Sequence, residues 1–418
     1  VSNEAASPFD LAVERGALRV YALPTDTRGR PRFAVERVTA AGMRARLDAA
    51  QAAGAVATPF QSAAWIAALD AALAPARAAS IELLWVTDAA SHELIVALPI
   101  AVRRVGGLRV VETADLGVAD YQAPLIGPAS ASVTSDAQAC TALLVAITRA
   151  LGDADLLRFE KMPHAIAGRV NPLVMLAGVR ASRFVANRLQ VPDTVEAFIA
   201  SRGKKYRKEA ERCFRRIADE GEVRFERASS PDEIRAAYAQ LEAWQSMRHN
   251  EAGHVYALDD PALSRFYRDL ALADADGASP FASIFTLSVG DRFVAILYGV
   301  EHAGAFTLLR IADAGADWKH VSPGRLVVIE TMRHMVARGV RSFDMGIGDY
   351  PFKRWIGCTA EPLADVERAL TWRALPRVAA TAARRRLRES PRMLALVRRL
   401  RGAKPATRPT PEADAADA

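Results

Sequence analysis

The stretch Phe281–His302, FASIFTLSVGDRFVAILYGVEH, decides the fold. Two runs rich in apolar and β-branched residues, 281–289 and 292–302, flank Gly290-Asp291, a turn that reads as the tip of a β-hairpin. Downstream, a third strand is expected over 305–313, a helix over 324–338 and a short strand over 342–346. Upstream, Ser230-Pro231-Asp232-Glu233 supplies an N-cap, a proline at the first helical position and a capping-box glutamate. Ile234, Ala237, Tyr238, Leu241 and Trp244 continue it as an apolar stripe, and another helix is expected over 260–273.

The same order occurs earlier in the chain. The runs 81–87 (IELLWVT) and 93–102 (ELIVALPIAV) read as a hairpin, followed by a strand at 108–116, a helix at 136–151 and a strand at 155–160. Helices at 41–53 and 60–73 precede it. A long helix is expected over 194–220, capped by Asp193 with Glu196 and ended by Gly221. The expectation is an α+β protein with two like domains, 30–190 and 191–375. A basic helical tail and disordered end follow over 376–418.

Composition sets the frame. The 418 residues are 51% hydrophobic and 25% charged, which excludes a disordered or fibrous chain. The net charge is +7, but residues 376–418 hold 11 Lys/Arg against 4 Asp/Glu, so the remaining 375 residues are formally neutral. The excess belongs to the tail, where Met393, Leu396, Val397 and Leu400 repeat at helical spacing among arginines. That pattern reads either as a helix lying on an anionic membrane or as one packed on the body with solvated arginines. Cys140, Cys213 and Cys358 are scattered and odd in number, and residues 1–10 lack the pattern of a secretory signal. A cytoplasmic protein is expected, peripheral at the inner face of the membrane if the tail docks there. The seven histidines show no metal-binding spacing, so no metal is expected.

Two features carry chemistry. Ser322, Pro323, Gly324 and Arg325 open the helix at 324–338; the stretch reads either as a turn capping an ordinary helix or as a phosphate site, since a helix start offers free backbone N–H groups and a positive dipole end. The other is a ridge at i+4 spacing, Lys204, Lys208, Arg212 and Arg216. It reads either as a solvated face or as a contact for a polyanion, because like charges at that spacing disfavour the helix. His320, just before Ser322, is a candidate phosphate or substrate contact.

Two stretches, Val321-Ser322-Pro323-Gly324-Arg325-Leu326 and Phe343-Asp344-Met345-Gly346-Ile347-Gly348-Asp349-Tyr350-Pro351-Phe352-Lys353-Arg354-Trp355, resemble the CelD/BcsL-type proteins. These are GCN5-related N-acetyltransferase (GNAT) acyltransferases of cellulose and exopolysaccharide loci, tandem-GNAT relatives of the Fem peptidyltransferases. Weaker likenesses lie in Pro59-Phe60-Gln61-Ser62-Ala63-Ala64-Trp65 and Asp120-Tyr121-Gln122-Ala123-Pro124-Leu125. The usual GNAT phosphate loop, Gln/Arg-x-x-Gly-x-Gly/Ala, is not present; its position and one glycine, Gly324, survive.

The resemblance implies two GNAT-like domains in tandem, the first a degenerate copy that shapes the acceptor cleft. It implies acyl transfer from acetyl-CoA or another acyl-CoA to an amine or hydroxyl of a saccharide acceptor. The rival donor is an aminoacyl-tRNA, as in Fem enzymes, and a third reading is a non-catalytic accessory protein of a polysaccharide synthase. In the GNAT topology the last short strand splays from its predecessor and the acyl group lies in the gap. Tyr350 falls near the usual general acid for the thiolate. Lys353 corresponds to an active-site lysine of Fem-type transferases, for the oxyanion or a phosphate. Asp344 is implied either as a base for the acceptor or as a partner orienting Lys353, and Asp349 belongs to the same catalytic cluster.

Overall fold

The computed structural model describes residues 32–389, apart from 252, 254, 255, 276, 278, 279 and 349. The tail helix expected around 391–401 therefore lies outside the described residues. The first half contains β1 (Phe33–Thr39), α1 (Ala40–Ala52), α2 (Ala63–Ala72), β2 (Ala79–Asp88), β3 (Leu94–Val105), β4 (Leu108–Thr113), α3 (Ala137–Ala150), β5 (Leu156–Pro163) and β6 (Arg180–Gln190). The second half contains α4 (Val195–Ser201), α5 (Lys204–Asp219), β7 (Val223–Arg227), α6 (Pro231–Glu251), α7 (Pro261–Leu272), β8 (Ala282–Val289), β9 (Arg292–His302), β10 (Ala305–Asp313), α8 (Pro323–Ala337), β11 (Ser342–Ile347), α9 (Pro351–Ile356), β12 (Thr359–Ala369) and α10 (Leu375–Glu389). Hairpin, strand, helix and strand occur twice, as expected.

The strands join in one sheet, ordered β1-β2-β3-β4-β5-β12-β6-β11-β10-β9-β8-β7, with Leu125–Ile126 added to β3. Neighbours are antiparallel except β4 with β5 and β10 with β11. The two halves exchange their last strands: β6 pairs with β11 of the second half, and β12 returns to pair with β5 of the first. Neither exchanged strand is foreseen from the sequence. On one face the helix pairs α1/α2 and α6/α7 meet, with Trp65 edge-on to Phe266 at 5.0 Å. On the other, α3 covers the first half and α4, α5 and α8 the second.

Local chemistry explains most boundaries. Ser230 and Glu233 form the reciprocal capping box of α6: the Glu233 N–H donates to Ser230 Oγ at 3.2 Å, and the Ser230 N–H donates to Glu233 Oε2 at 3.1 Å. The expected helix 194–220 is instead two helices. Gly203, at φ +90°, breaks it between α4 and α5. Its cap is Thr194, whose Oγ1 accepts the Ala197 N–H at 3.1 Å, whereas Asp193 faces Arg341.

At the bulge in β9, Gly299 leaves no room for a side chain. A Cβ there would collide with the Phe306 ring and lie 2.7 Å from the Thr307 carbonyl oxygen. Gly299→Ala is expected to cost about 1–3 kcal/mol, because backbone and a buried ring cannot both give way. Denaturant melts should show a lower midpoint at unchanged slope.

Candidate active site

The site begins where two strands part. β10 and β11 pair in parallel only at Ala305–Thr307 with Ser342–Asp344. Beyond that, β11 follows β6 through a register shift between Asp344 and Ile347, and Gly346 takes φ +72°. The result is a fork whose arms are the outer half of β10 and the end of β11.

A cavity of about 450 Å³ lies at the open end of the β10 arm, walled by Ile311 and Asp313, the start of α8 and the α9 residues Phe352 and Trp355. Ser322 caps α8 in the left-handed region at φ 51°, with no side-chain cap bond, and Pro323 follows at the first helical turn. The backbone donors at this helix start are therefore not satisfied by a side chain of the helix itself. Gly324 lets Asp313 approach, since a Cβ would lie 2.9 Å from its Oδ2. Arg325 lies flat over Trp355, 3.7 Å from the ring centroid, and 3.4 Å from Glu209; Lys319 and Arg248 add positive charge to the lining. Phe352 and Trp355 read as core from sequence. In the structure Phe352 is exposed in the cavity wall and Trp355 is half-buried between Arg325 and Tyr206. A short helix beside a cleft needs only one buried side, and here that side belongs to Lys353 and Ile356.

At the base of the fork sits a buried polar cluster drawn from both halves. Asp344, 8% exposed, accepts the Tyr121 hydroxyl at 2.6 Å and the Gly346 N–H at 2.8 Å, and Arg188 Nε of β6 stands 3.5 Å away. Asp120, partly exposed, accepts the Ile347 N–H at 3.3 Å. A Cβ on Gly346 would collide with Asp120 Oδ2 and lie 3.4 Å from the Leu308 carbonyl oxygen of β10. The Asp120 carboxylate thus reaches between the two arms. Lys353, 4% exposed, donates to the Ile347 carbonyl at 2.7 Å and the Gly346 carbonyl at 3.3 Å. Asn187 donates to the Gly346 and Gly348 carbonyls at 2.9 and 2.8 Å.

The electrostatics follow from this crowding. Loss of water, then repulsion from Asp344, pushes the Asp120 carboxyl up to about 6, although Lys161, the Ile347 N–H and Lys353 pull it back. Burial raises Asp344 as well, against the Tyr121, Gly346 and Arg188 contacts. Burial lowers the Lys353 ammonium despite the two aspartates. Of the three groups Asp120 is the one whose carboxyl is raised toward neutrality, the range in which a carboxyl can serve as an acid or base.

A second cavity, of about 680 Å³, opens on the far side of Asp344 and Tyr121. Arg188, Arg202, His302 and Glu361 line it together with the hydroxyls of Thr58, Thr307 and Ser342.

The first half has the matching fork, but it is closed. Thr113 of β4 donates to Gln122, whose Oε1 accepts the Glu160 N–H of β5 at 2.9 Å, so Gln122 laces the two strands together. Lys161 pairs with Asp115 at 3.0 Å. The α3 start is already occupied by a carboxylate, as Asp136 accepts the Gln138 N–H at 2.8 Å and pairs with Arg32 at 2.7 Å. The loop that closes this fork is the one that delivers Asp120 and Tyr121 to the other.

The structure thus brings Asp344 and Lys353 into one cluster, with the Tyr350 ring 5.1 Å from Lys353 Nζ at its edge. Tyr350 is 57% exposed, stacked on Phe352 at 6.2 Å. Asp349 lies outside the described residues. Lys204, Lys208 and Arg212 are exposed on α5, with Arg212 paired to Glu209. His320 binds Glu220 at 2.8 Å, and its neighbour Lys319 lines the 450 Å³ cavity instead. Asp120, Tyr121 and Arg188 are absent from the candidates read from sequence. The Asp120-Tyr121 stretch stands out there only as a weak family likeness, and nothing marks Arg188. Among the described residues no group of three or more His, Cys, Asp or Glu is placed to hold a metal ion, and no helix is long and apolar enough to cross a membrane.

Residues 204–354 match the family model of an acetyltransferase (GNAT) domain. Among solved structures, FemX is similar over 81% of this chain and 97% of its own, at 10% identity and a TM-score of 0.55. A conserved protein of unknown function from Bacteroides thetaiotaomicron is similar over 81% and 99%, at 11% identity and a TM-score of 0.50. No curated protein matches the chain. Together with the repeated topology, these likenesses establish the fold as two GNAT-like units in tandem, the second carrying the acetyltransferase-type domain.

Proposed function

We propose that the protein is an acyltransferase that uses an acyl-CoA thioester, with its chemistry in the fork of the second half. The observation that carries this reading is Asp120, a carboxyl held up to about 6 between the arms of that fork. The pyrophosphate of the donor is taken by the uncapped start of α8, with Ser322, Gly324, Arg325 and Lys319 around it. The pantetheine follows β10 along the 450 Å³ cavity. The acceptor enters through the 680 Å³ cavity, whose hydroxyls and paired charges suit a saccharide bearing an amine or hydroxyl.

The acceptor nitrogen or oxygen attacks the thioester carbonyl and its proton passes to Asp120. The carbon–sulfur bond then breaks, the CoA thiolate leaves and takes a proton from solvent, and Asp120 returns the acceptor's proton to solvent. Lys353, with two of its three protons donated to the Gly346 and Ile347 carbonyls, fixes the arm of β11 against which the acyl group lies. Tyr121 and Arg188 contact Asp344 beside it and oppose the burial that raises its carboxyl. The setting inferred is bacterial polysaccharide or cell-envelope synthesis.

Titration calorimetry with acetyl-CoA tests the donor. One site per chain is expected, and Arg325→Glu should weaken it by about tenfold or more, as a phosphate contact is reversed. No heat at millimolar acetyl-CoA rejects CoA as the donor. A second reading, an aminoacyl-tRNA donor, draws on α5, where Lys204, Lys205 and Lys208 are exposed and form no ion pair among the described residues. It predicts a donor activity destroyed by ribonuclease.

A further inference from the structure

The last described helix turns its apolar side outward. α10 packs on the first half through Val378, with Arg377, Thr381, Ala382 and Arg385 partly buried on that side. The opposite side carries Leu375, Pro376, Ala379, Ala380, Ala383 and Leu387, all exposed. At the helical angle of roughly 100° per residue they fall within an arc of about 140°. Trp372, in the turn leading into the helix, is 74% exposed, the largest value among the exposed large hydrophobics described. A tryptophan and two leucines standing in water along one apolar strip mark a surface that is covered in use.

Charge decides what covers it. Arg384 and Arg386 are both exposed, Arg384 at the edge of the strip and Arg386 within it, and residues 376–418 hold the whole net charge of the chain. A second copy of the strip would set like cations against each other. The segment after 389, with Arg392, Arg398, Arg399 and Arg401, would do the same. An acidic lipid surface accepts both the apolar strip and its arginines.

We infer that the Trp372 turn and the outer face of α10 form a docking surface for an anionic lipid bilayer. Trp372 and Leu387 enter the headgroup boundary, and the exposed Arg384 and Arg386 meet lipid phosphates. The inner flank of the same helix lines, through Thr381, Arg385 and the edge residue Arg384, a cavity of about 850 Å³ that reaches Ile347 at the fork. The inference stands apart from acyl transfer, since vesicle binding needs neither donor nor acceptor.

Flotation of the full chain with vesicles is the test. Vesicles of phosphatidylcholine with phosphatidylglycerol should carry the protein, increasingly so as salt is lowered, and phosphatidylcholine vesicles should not. The pair Trp372→Ser with Leu387→Ser should weaken binding about tenfold or more, as should Arg384→Glu with Arg386→Glu. All four positions are exposed, so the thermal melts of both variants should overlay the parent. Equal binding to neutral vesicles overturns the inference. So does undiminished binding by both variants, which places the contact in 390–418. So does a dimer, seen by sedimentation without vesicles, that the first variant abolishes.

Discussion

Asp120→Asn should lower kcat by about 10²- to 10⁴-fold, the usual contribution of a positioned general base, with little change in KM for acetyl-CoA. The reason is local. Asp120 reaches between the arms of the fork, its carboxyl pushed to about 6 by burial and by Asp344. A base acts when deprotonated, so the rate should climb with pH and level off above about 6. The asparagine keeps the size and can still accept the Ile347 N–H, but it takes no proton, so that limb of the profile should vanish. Folding should survive, because the change removes a repulsion between two carboxylates. Release of CoA thiol from acetyl-CoA, with a panel of amino sugars as acceptors, is the assay. An unchanged kcat with an unchanged pH limb would remove Asp120 from the chemistry.

Gly346→Ala should be nearly as severe for a different reason. Gly346 sits at φ +72°, where a Cβ is strained, and that Cβ would collide with Asp120 Oδ2. The backbone cannot move freely, since the Gly346 carbonyl takes bonds from Lys353 and Asn187 and its N–H bonds to Asp344. Strain and overpacking together should cost about 2–4 kcal/mol of stability. Displacing Asp120 by about 1 Å should cost about 10²-fold in rate even in the folded fraction. Asp120→Ala in the Gly346→Ala background makes room for the new methyl. It should restore part of the stability and none of the activity, which separates the steric effect from the catalytic one.

Both predictions turn on a residue that sequence reading passed over. The hairpins are plain in the sequence because apolar runs meet at short polar turns such as Gly290-Asp291, and the capping box names the start of α6. Asp344 and Lys353 are legible because they stand in one short segment at the end of a strand. Asp120 and Tyr121 are not, because their partners lie more than two hundred residues away, and only the tertiary fold joins them. The exchanged strands fail for a related reason. Arg180–Gln190 and Thr359–Ala369 are rich in polar residues, lack clear alternation, and become strands by lying between other strands of a continuous sheet. Phe352 misleads in the opposite direction, an aromatic that reads as core but lines a cavity. Gly203 in the long basic helix was open to reading as a break, but the helical pattern on both sides of it masks the two-helix arrangement.

The closed fork of the first half gives the duplication a physical meaning. Gln122 laces the strands of that half and Asp136 fills its helix start, while its loop at 114–122 supplies Asp120 and Tyr121 to the other half. The open fork thus draws its side chains from both halves.

The most direct test of that account is a pH titration of the carboxyl carbons by NMR, on protein labelled with ¹³C-aspartate and read with and without acetyl-CoA. The account predicts a resonance with a midpoint near 6 that is absent in Asp120→Asn and moves when acetyl-CoA is added. An Asp120 carboxyl that titrates at the ordinary value of about 4 and ignores acetyl-CoA would contradict it.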